Sequence, residues 1–235
     1  MKKAKILKEH YQTAIYSEEN WKLLKSKRAR AIELISIFVK EGLKPFIYGS
    51  VARGDVHIDS DIDIIFTQLI PSFQVEYILN KHGFDHYLRE ILMATPNDSL
   101  KLYIYLSELE SITVPLSKFE TNTLEFYDFG GKVNLNDLKN NIRVSGVDKR
   151  LLLIKPNEQG HEEYSIIGNE HLAAKELKVS LNTINERINV LLKREKYGRT
   201  GVFLKRTLNI QETTEGVLKE LANKKSIVRK KLYQK

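Results

Sequence analysis

Two aspartates, Asp61 and Asp63, are separated by a single residue in a short run with the composition of a β-strand. Because residues two apart project from the same face of a strand, their carboxylates should lie side by side while Ile62 and Ile64 enter the core. Paired carboxylates repel one another, and their hard oxygens suit Mg²⁺, which usually completes its shell with waters and substrate phosphates. The spacing therefore predicts a divalent-cation site.

A glycine and a serine, Gly49 and Ser50, directly follow the apolar run Phe46–Tyr48, which we interpret as a buried strand. Glycine lets the backbone approach a phosphate closely, and the short helix expected next offers free N–H groups to an anion. Phosphate and metal would thus share one pocket. In the alternative interpretation, the aspartates occupy a solvated strand face and Gly49-Ser50 is an ordinary turn. We favour the first because the motifs occur together in register with two strands.

The segments 49–55 (Gly-Ser-Val-Ala-Arg-Gly-Asp) and 60–63 (Ser-Asp-Ile-Asp) resemble the signature of the polymerase β-type nucleotidyltransferase superfamily, and the minimal nucleotidyltransferases in particular. The resemblance implies a small mixed sheet flanked by helices, two Mg²⁺ ions (with Mn²⁺ as an alternative) and transfer of a nucleoside monophosphate from an NTP with release of pyrophosphate. It further implies that Asp61 and Asp63 hold the metals, and that Gly49, Ser50 and Arg53 hold the triphosphate. Paired metals would clamp the attacking and leaving oxygens of an in-line displacement.

The same resemblance calls for a third carboxylate from a neighbouring strand. Glu90 is the candidate, because it is the only acid adjoining either arm of a predicted hairpin, apart from Asp98 in its turn. There it would complete a metal site and assist deprotonation of the incoming hydroxyl. The alternative for Glu90 is an exposed acid at a strand end. Without a third acid, weak activity or a nucleotide sensor would be expected.

The elements that would position these groups predict an α/β (α+β) fold. A capping Ser17 and the stop at Gly42 delimit a first helix. The other expected elements are strands at 46–48, 61–66 and 151–154, a helix at 73–81, a hairpin with arms at 90–94 and 102–106, and a strand or short helix at 124–129. We divide the chain into a nucleotidyltransferase domain (1–130), a connecting region with strands (131–168) and a C-terminal domain (169–235).

The C-terminal segment is similar to winged helix-turn-helix modules that bind DNA. A short helix at 171–177 precedes Ser180, which is placed to cap a second helix at 181–194, and 193–206 resembles a cationic hairpin wing. Such a module places the second helix in a major groove and the wing on backbone phosphate. A plain αα-hairpin used for packing or dimerisation has the same periodicity. The expected nucleic-acid contacts are Asn185, Arg187, Lys193, Arg199 and Lys205.

Composition sets wider limits on the 235 residues. Apolar residues make up 42% and charged residues 29%, as in ordinary globular proteins, and no apolar run reaches membrane-spanning length. The absence of cysteine excludes disulfides, thiolate zinc sites and thiol catalysis, and together with the lack of a secretory signal it favours a cytoplasmic location. A net charge of +8 predicts attraction to polyanions.

Two functions are therefore expected from the sequence. The first is an Mg²⁺-dependent nucleotidyltransferase that uses an NTP, with ATP as the first candidate, and transfers NMP to a hydroxyl of nucleic acid or of a partner protein. The alternative is a DNA-binding regulator whose nucleotidyltransferase-like domain senses a nucleotide. The domain order resembles an archaeal type of nucleotidyltransferase joined to a winged-helix-like part that would bind DNA or RNA. No membrane partner is expected, and the sequence gives no oligomeric state.

Overall fold

The computed structural model of the protein describes residues 5–85, 87–198 and 201–233. In chain order its elements are β1 (Tyr11–Ile15), α1 (Glu18–Lys40), β2 (Phe46–Tyr48), α2 (Ser50–Arg53), β3 (Ile62–Ile65), α3 (Ser72–Lys81), β4 (Leu88–Met93), β5 (Lys101–Ser107), β6 (Glu110–Pro115), α4 (Thr121–Gly130), β7 (Lys132–Val133), α5 (Leu135–Lys139), β8 (Gly146–Val147), β9 (Leu152–Asn157), β10 (Gly160–Ser165), α6 (Glu170–Leu177), α7 (Leu181–Tyr197), β11 (Leu204–Leu208), α8 (Thr214–Lys224) and α9 (Ser226–Tyr233).

The first helix begins and ends as its sequence predicts. The Ser17 hydroxyl accepts a hydrogen bond from the Asn20 amide, and the Asn20 side chain accepts one in return from the Ser17 amide, so two orphan donors of the first turn are satisfied. The helix stops at Lys40, and Gly42 follows with a φ of 80° that favours glycine. Its buried side chains include Leu24, Ala31, Leu34, Ile35 and Phe38.

The larger sheet has seven strands in the order β11-β4-β5-β6-β3-β2-β7. β3 and β6 run parallel and the other neighbours run antiparallel, so the sheet is mixed as expected. The predicted strands at 46–48 and 61–66 and the predicted hairpin are confirmed as β2, β3 and the β4–β5 pair. The sequence analysis did not predict β6, which lies between β3 and the hairpin.

The two faces of this sheet differ in chemistry. One face is apolar and packs with α1, α3, α8 and α9 in a single core that includes Ile64, Leu102 and Ile104. Side chains alternate along a strand, so the strand register assigns the opposite set to the other face. That set, which we call the polar face, includes Tyr48, Asp63, Ser111, Tyr103, Tyr105, Lys101 and Glu90. Phe119 and Tyr127, the latter from α4, pack with Ile65 and cover part of it.

A smaller antiparallel sheet, in the order β1-β10-β9-β8, lies beside α6 and α7. Its core contains Leu151 and Leu153 together with Leu177, Val179 and Ile184 of the two helices. The helix, tight turn and helix predicted for this segment are confirmed, and the Ser180 hydroxyl accepts a hydrogen bond from the Thr183 amide at 3.2 Å as an N-cap.

The hairpin wing predicted at 193–206 is wrong. Its described part consists of the last turns of α7 and the strand β11, and β11 pairs with β4 at the edge of the larger sheet. Leu204 and Leu208, the first and last residues of β11, are both buried there. Val217, Ala222 and Val228 join the first core, so the described part of 169–235 divides between two cores. Within the described ranges, no helix has the length and apolarity to cross a membrane.

Candidate active site

The turn after β2 depends on Gly49. Its φ of 83° and ψ of −142° lie outside the regions open to residues with a Cβ, whereas no heavy atom would lie within 4 Å of an added Cβ. Conformation, rather than crowding, therefore requires glycine here. The Gly49 amide donates to the carbonyl of Gly131 at 2.9 Å, which ties the turn to the end of α4. Gly49 precedes the first turn of α2, where Ser50 lies.

The two aspartates lie beside this turn. Tyr48 of β2 is opposite Asp63 of β3, so Gly49, the residue after Tyr48, lies at the end of β2 that borders the start of β3. The Asp63 carboxylate accepts a hydrogen bond from the Ser111 hydroxyl at 2.7 Å. Burial raises the pKa of Asp63, the bond from Ser111 opposes that rise, and the nearby charge of Asp61 adds to it. Gly49, Asp61 and Asp63 therefore lie close together at the end of β2 and the start of β3, and Ser50 follows Gly49 in the chain.

Glu90 does not join this group. It lies on the polar face, but β6 and β5 separate β4 from β3, which puts Glu90 about 14 Å across the sheet from Asp63 at the usual strand spacing. Its carboxylate is 3.0 Å from the ammonium of Lys205 and accepts a hydrogen bond from the Thr207 hydroxyl at 3.0 Å. The unpredicted strand β6 is the physical reason for the displacement.

Ser111 occupies the position on the neighbouring strand that faces Asp63. The next residue in the chain before it, Glu110, points to the opposite side of the sheet and forms a two-bonded ion pair with Arg30. Over the described ranges, no group of three or more His, Asp or Glu side chains converges in a way that could hold a metal ion. Asp61 and Asp63 are therefore the acids that this site offers.

Arg53 is held within the protein. The guanidinium is buried, and it donates to both carboxylate oxygens of Asp55, at 3.0 and 2.9 Å, and to the carbonyl of Gly130 at 2.6 Å. These bonds fix the α2 turn against the end of α4. The geometry gives Arg53 a positioning role, and the structure does not direct its cation at an open phosphate position.

A cation that sequence reasoning missed, Lys149 in the loop between β8 and β9, acts on Asp63 through its charge. The charge of Lys149 lowers the pKa of Asp63 against the larger effect of burial. The loop is fixed by the Asp148 carboxylate, which accepts from the amides of Arg150 and Leu152 at 2.8 and 3.1 Å. Leu151 is fully buried with a φ of 63°, a strained conformation that surrounding structure must enforce. In the sequence, the charged run Asp148-Lys149-Arg150 was the feature that could have indicated this loop.

The same loop is braced from the smaller sheet. Arg150 donates to Glu163 at 2.7 Å, and the second oxygen of that carboxylate is 2.7 Å from His10. Burial alone would raise the pKa of Glu163, but the bond from His10 and the charge of Arg150 lower it overall. The hydroxyl of Tyr16 donates to the carbonyl of Gly54 in the α2 turn at 3.0 Å, and it lies 2.8 Å from Nδ1 of His161, which can donate to it.

The predicted nucleic-acid contacts have different surroundings. Asn185 and Lys193 are exposed on α7. Lys205 of β11 pairs with Glu90 of β4. Arg199 lies outside the described residues. The outward orientation expected for Arg187 is wrong, because its guanidinium lies over the ring of Phe126 with 4.6 Å between Cζ and the ring centroid. The reason is that α7 packs against α4.

The contact between α7 and α4 is anchored by one carboxylate. Glu125 of α4 accepts hydrogen bonds from the amide and hydroxyl of Ser180 at 3.0 and 2.6 Å, and from the hydroxyl of Thr183 at 2.5 Å. These bonds lower the pKa of Glu125. They also fix the rotation of α7, so that the residue one turn later, Arg187, points at the sheet rather than at solvent.

A separate cavity of about 270 Å³ opens between the end of α4 and α6. It contains neither of the two aspartates, so it is not the place where their chemistry would occur. Its lining residues are Asp128, Gly131, Lys132, Val144, Ser145, Glu176 and Leu177.

Comparison with known proteins shows which family part of the chain resembles. Residues 32–129 match the family model described as a nucleotidyltransferase domain, a range that contains Gly49, Ser50, Asp61 and Asp63. This part of the chain is therefore a nucleotidyltransferase domain of the polymerase β-type superfamily, as the motif at 49–63 predicted. The mixed α/β fold is confirmed with it, whereas a winged helix is not. Searches among curated proteins and among solved structures each gave no significant match.

Proposed function

We propose that the protein is an Mg²⁺-dependent nucleotidyltransferase that moves NMP from an NTP, with ATP as the first candidate, to a hydroxyl group of a nucleic acid or protein acceptor and releases pyrophosphate. The observation that carries the proposal is the position of Asp61 and Asp63 at the start of β3, level with the Gly49–Ser50 turn at the end of β2. An acid pair and a glycine-dependent turn in one place suit a metal-bound triphosphate.

The two carboxylates fit Mg²⁺. They are close enough for the charge of Asp61 to raise the pKa of Asp63, a repulsion that a bound cation would relieve. Mg²⁺ needs only one or two protein carboxylates when waters and substrate phosphates supply the remaining ligands. When bound, the metal would offset the negative charge of the phosphates. Asp61 and Asp63 would hold it, and two ions would have to share this pair.

The residues around the pair have separate tasks in this proposal. Gly49 sets the path of the backbone, and the amides of Ser50 and Val51, in the first turn of α2, have no intrahelical acceptor and are free for a phosphate oxygen. Arg53 and Asp55 keep the turn in place from behind. The Lys149 ammonium would meet the outer phosphates, where it would also limit the repulsion between the triphosphate and Asp63.

The test combines binding with turnover. ATP titrated calorimetrically with and without Mg²⁺ should show metal-dependent affinity that is lost in Asp61→Ala/Asp63→Ala. Asp59→Ala, which removes an exposed acid from the same loop, is the matched control and should bind as the wild type does. Transfer is then followed with α-labelled ATP in a cell extract, where a labelled nucleic acid or a labelled protein band identifies the acceptor class. Unchanged ATP affinity in the double variant would refute the site.

A second candidate function is a nucleotide sensor with weak or no turnover. It is favoured by Ser111, which stands on the neighbouring strand where a third carboxylate would meet Asp63. A sensor binds Mg²⁺ and ATP without releasing pyrophosphate. If it regulates DNA, duplex binding should fall steeply with salt and should weaken in Lys193→Ala, while nucleotide affinity stays unchanged. Measurable pyrophosphate release that depends on Asp61 and Asp63 would exclude the sensor.

A further inference from the structure

Two cations, Lys101 and Arg187, lie around one aromatic ring on the polar face. The ammonium of Lys101 is 5.9 Å from the centroid of Phe126, and the guanidinium of Arg187 is 4.6 Å from the same centroid. Lys101 is also 5.3 Å from the ring of Phe119 and 5.5 Å from that of Tyr127. Lys101 comes from β5 and Arg187 from α7, so the two halves of the chain meet at this cluster.

Neither cation forms an ion pair with a described residue, although the charges of Glu186 and Asp98 both raise the pKa of Arg187. Among the described residues, no carboxylate forms an ion pair with either side chain within 4.0 Å, and the buried Nε of Arg187 has no hydrogen-bond partner. Asp98 is the acid whose charge reaches both, but its carboxylate accepts the amide of Thr95 at 2.8 Å. Burial lowers the pKa of Lys101 and of Arg187, and the charge of Arg187 lowers that of Lys101 further.

The neighbouring phenols do not supply the missing charge. Burial raises the pKa of Tyr48 to about 12 and that of Tyr103 to about 12, so both hydroxyls are neutral at physiological pH. The attraction of aromatic faces for cations is weak beside the cost of partly removing two like charges from water, so that cost stays largely uncompensated. Within the described part of the chain, the Nε of Arg187 is a buried donor without a partner, and neither cation forms an ion pair. An anion would complete this arrangement.

Along the direction of β3, the cluster and the Gly49–Ser50 turn lie on opposite sides of the aspartates. Gly49 follows the residue opposite Asp63, whereas Lys101 is level with Pro115, four residues beyond Ser111 on β6. Two strand spacings of about 4.8 Å and four residues of about 3.3 Å put the Cα atoms of Asp63 and Lys101 about 16 Å apart. Arg187 lies nearer the aspartates than this, because the ring of Phe126 is 5.6 Å from that of Tyr48, the residue opposite Asp63.

We propose that Lys101 and Arg187 form a second phosphate-binding subsite, which holds a phosphate group of the acceptor while the NTP occupies Gly49, Ser50 and the aspartates. A guanidinium offers paired donors that match phosphate oxygens, and a lysine adds a point charge. Assignment of this phosphate to the acceptor rests on the proposed function. The anion site itself does not, because it follows from the unpaired cations alone.

The first experiment measures pyrophosphate binding to the full chain in EDTA, so that no divalent cation occupies the aspartates. Lys101→Met and Arg187→Met replace each cation by a shorter, unbranched apolar side chain, and each should weaken binding at least tenfold. Lys118→Met removes an exposed ammonium next to Phe119 and is the matched control with wild-type affinity. Equal pyrophosphate affinity in all four proteins would overturn the subsite.

Thermal unfolding separates a binding role from a structural one. Since neither cation forms an ion pair in the described ranges and both are partly buried, removal of either charge should keep or raise the unfolding temperature of the free protein. Pyrophosphate should raise that temperature in the wild type and in Lys118→Met, and should leave both subsite variants unchanged. An equal rise in Lys101→Met and Arg187→Met would count against the proposal.

The source of the phosphate is decided by competition. Short oligonucleotides with and without a terminal phosphate, and MgATP at saturation, are each tested against pyrophosphate. If MgATP leaves the binding that depends on Lys101 and Arg187 intact, the subsite serves the acceptor; if MgATP displaces it, that assignment is overturned. Asp61→Asn/Asp63→Asn should lose MgATP binding and keep pyrophosphate binding, so failure of the proposed function and failure of the subsite give different results.

Discussion

Asp63 and Glu90 share one face of the larger sheet, yet the charges that surround their carboxylates differ. Asp63 is bonded to the neutral Ser111 hydroxyl and lies beside the like charge of Asp61. Glu90 is 3.0 Å from the ammonium of Lys205. A carboxylate that repels its neighbour gains from a bound cation, whereas one already paired must first lose its partner. The residue types alone could not distinguish an acid that would gain from a cation from one that is already paired. The sequence does not show which group lies beside each carboxylate.

Glu90→Gln should therefore leave Mg²⁺-dependent ATP affinity within about twofold of wild type, since the amide still accepts from Thr207 and Lys205 is half exposed. Loss of the ion pair should lower the free energy of unfolding by at most about 1 kcal/mol. Calorimetric titration and urea unfolding check the two expectations. A tenfold loss of affinity with unchanged stability would show that Glu90 reaches the metal site in the working protein.

Lys149→Met should weaken MgATP binding about fivefold, because a cation near the triphosphate contributes about 1 kcal/mol when water screens the two charges. The difference from wild type should shrink as salt is added, since screening weakens the same charge. Lys155→Met, on the neighbouring strand β9 and half exposed, is the control and should bind normally. Equal affinities at low salt in all three proteins would remove Lys149 from the site.

At the scale of elements, the sequence predicted β2, β3 and the β4–β5 hairpin, because each combines apolar residues with clear turn formers. It did not predict β6, since Ile112, Thr113 and Val114 adjoin a stretch with no periodic signal. Glu90 therefore lies on the third strand from β3 rather than on a neighbouring strand. The rotation of α7 was equally hidden, because Arg187 and Lys193 look alike as cations until Glu125 fixes the helix against α4.

The turn after β2 gives a prediction at this scale. Gly49→Ala forces a Cβ into a conformation that costs about 1–3 kcal/mol, and relief of that strain would displace the first turn of α2. We expect lower stability and a loss of MgATP affinity of tenfold or more. Gly83→Ala, with a φ of 82° and open space for a Cβ, should lose stability and keep affinity. Binding by Gly49→Ala at wild-type strength would contradict a role for this turn.

The smaller sheet gives a prediction about pH. The pKa of Glu163 is lowered in the folded protein, so its ion pairs contribute stability above the unfolded value near 4.3 and lose it as pH falls through the folded pKa. Between about pH 5 and pH 3, the wild type should lose more unfolding free energy than Glu163→Gln. Urea unfolding across this range measures the difference. Parallel pH profiles would show that His10 and Arg150 do not stabilise the carboxylate.

At the scale of the whole molecule, the C-terminal segment packs against elements from the first half of the chain. β11 closes one edge of the larger sheet, and the following helices α8 and α9 place Val217, Ala222 and Val228 in the core built by α1 and α3. The sequence analysis divided the chain by its local patterns, and no local pattern reports that a strand near residue 204 pairs with one near residue 93. Long-range pairing of this kind is decided by which sheet edge remains unfilled.

Deletion of residues 199–235 should consequently destabilise the nucleotidyltransferase part of the chain rather than release a separate domain. The deletion uncovers Met93 and Ile91 of β4 and leaves that strand as an unpaired edge, which favours aggregation. Loss of the buried side chains of α8 and α9 should cost several kcal/mol, a large share of the stability of a typical domain.

Circular dichroism melting tests this expectation on three proteins: the full chain, the truncated chain and Ile210→Ser, which alters a highly exposed residue in the deleted segment. We expect the point variant to melt like the full chain and the truncated chain to melt well below it or to aggregate. A truncated protein that melts like the full chain and binds MgATP would show instead that the C-terminal segment only rests on an independent core.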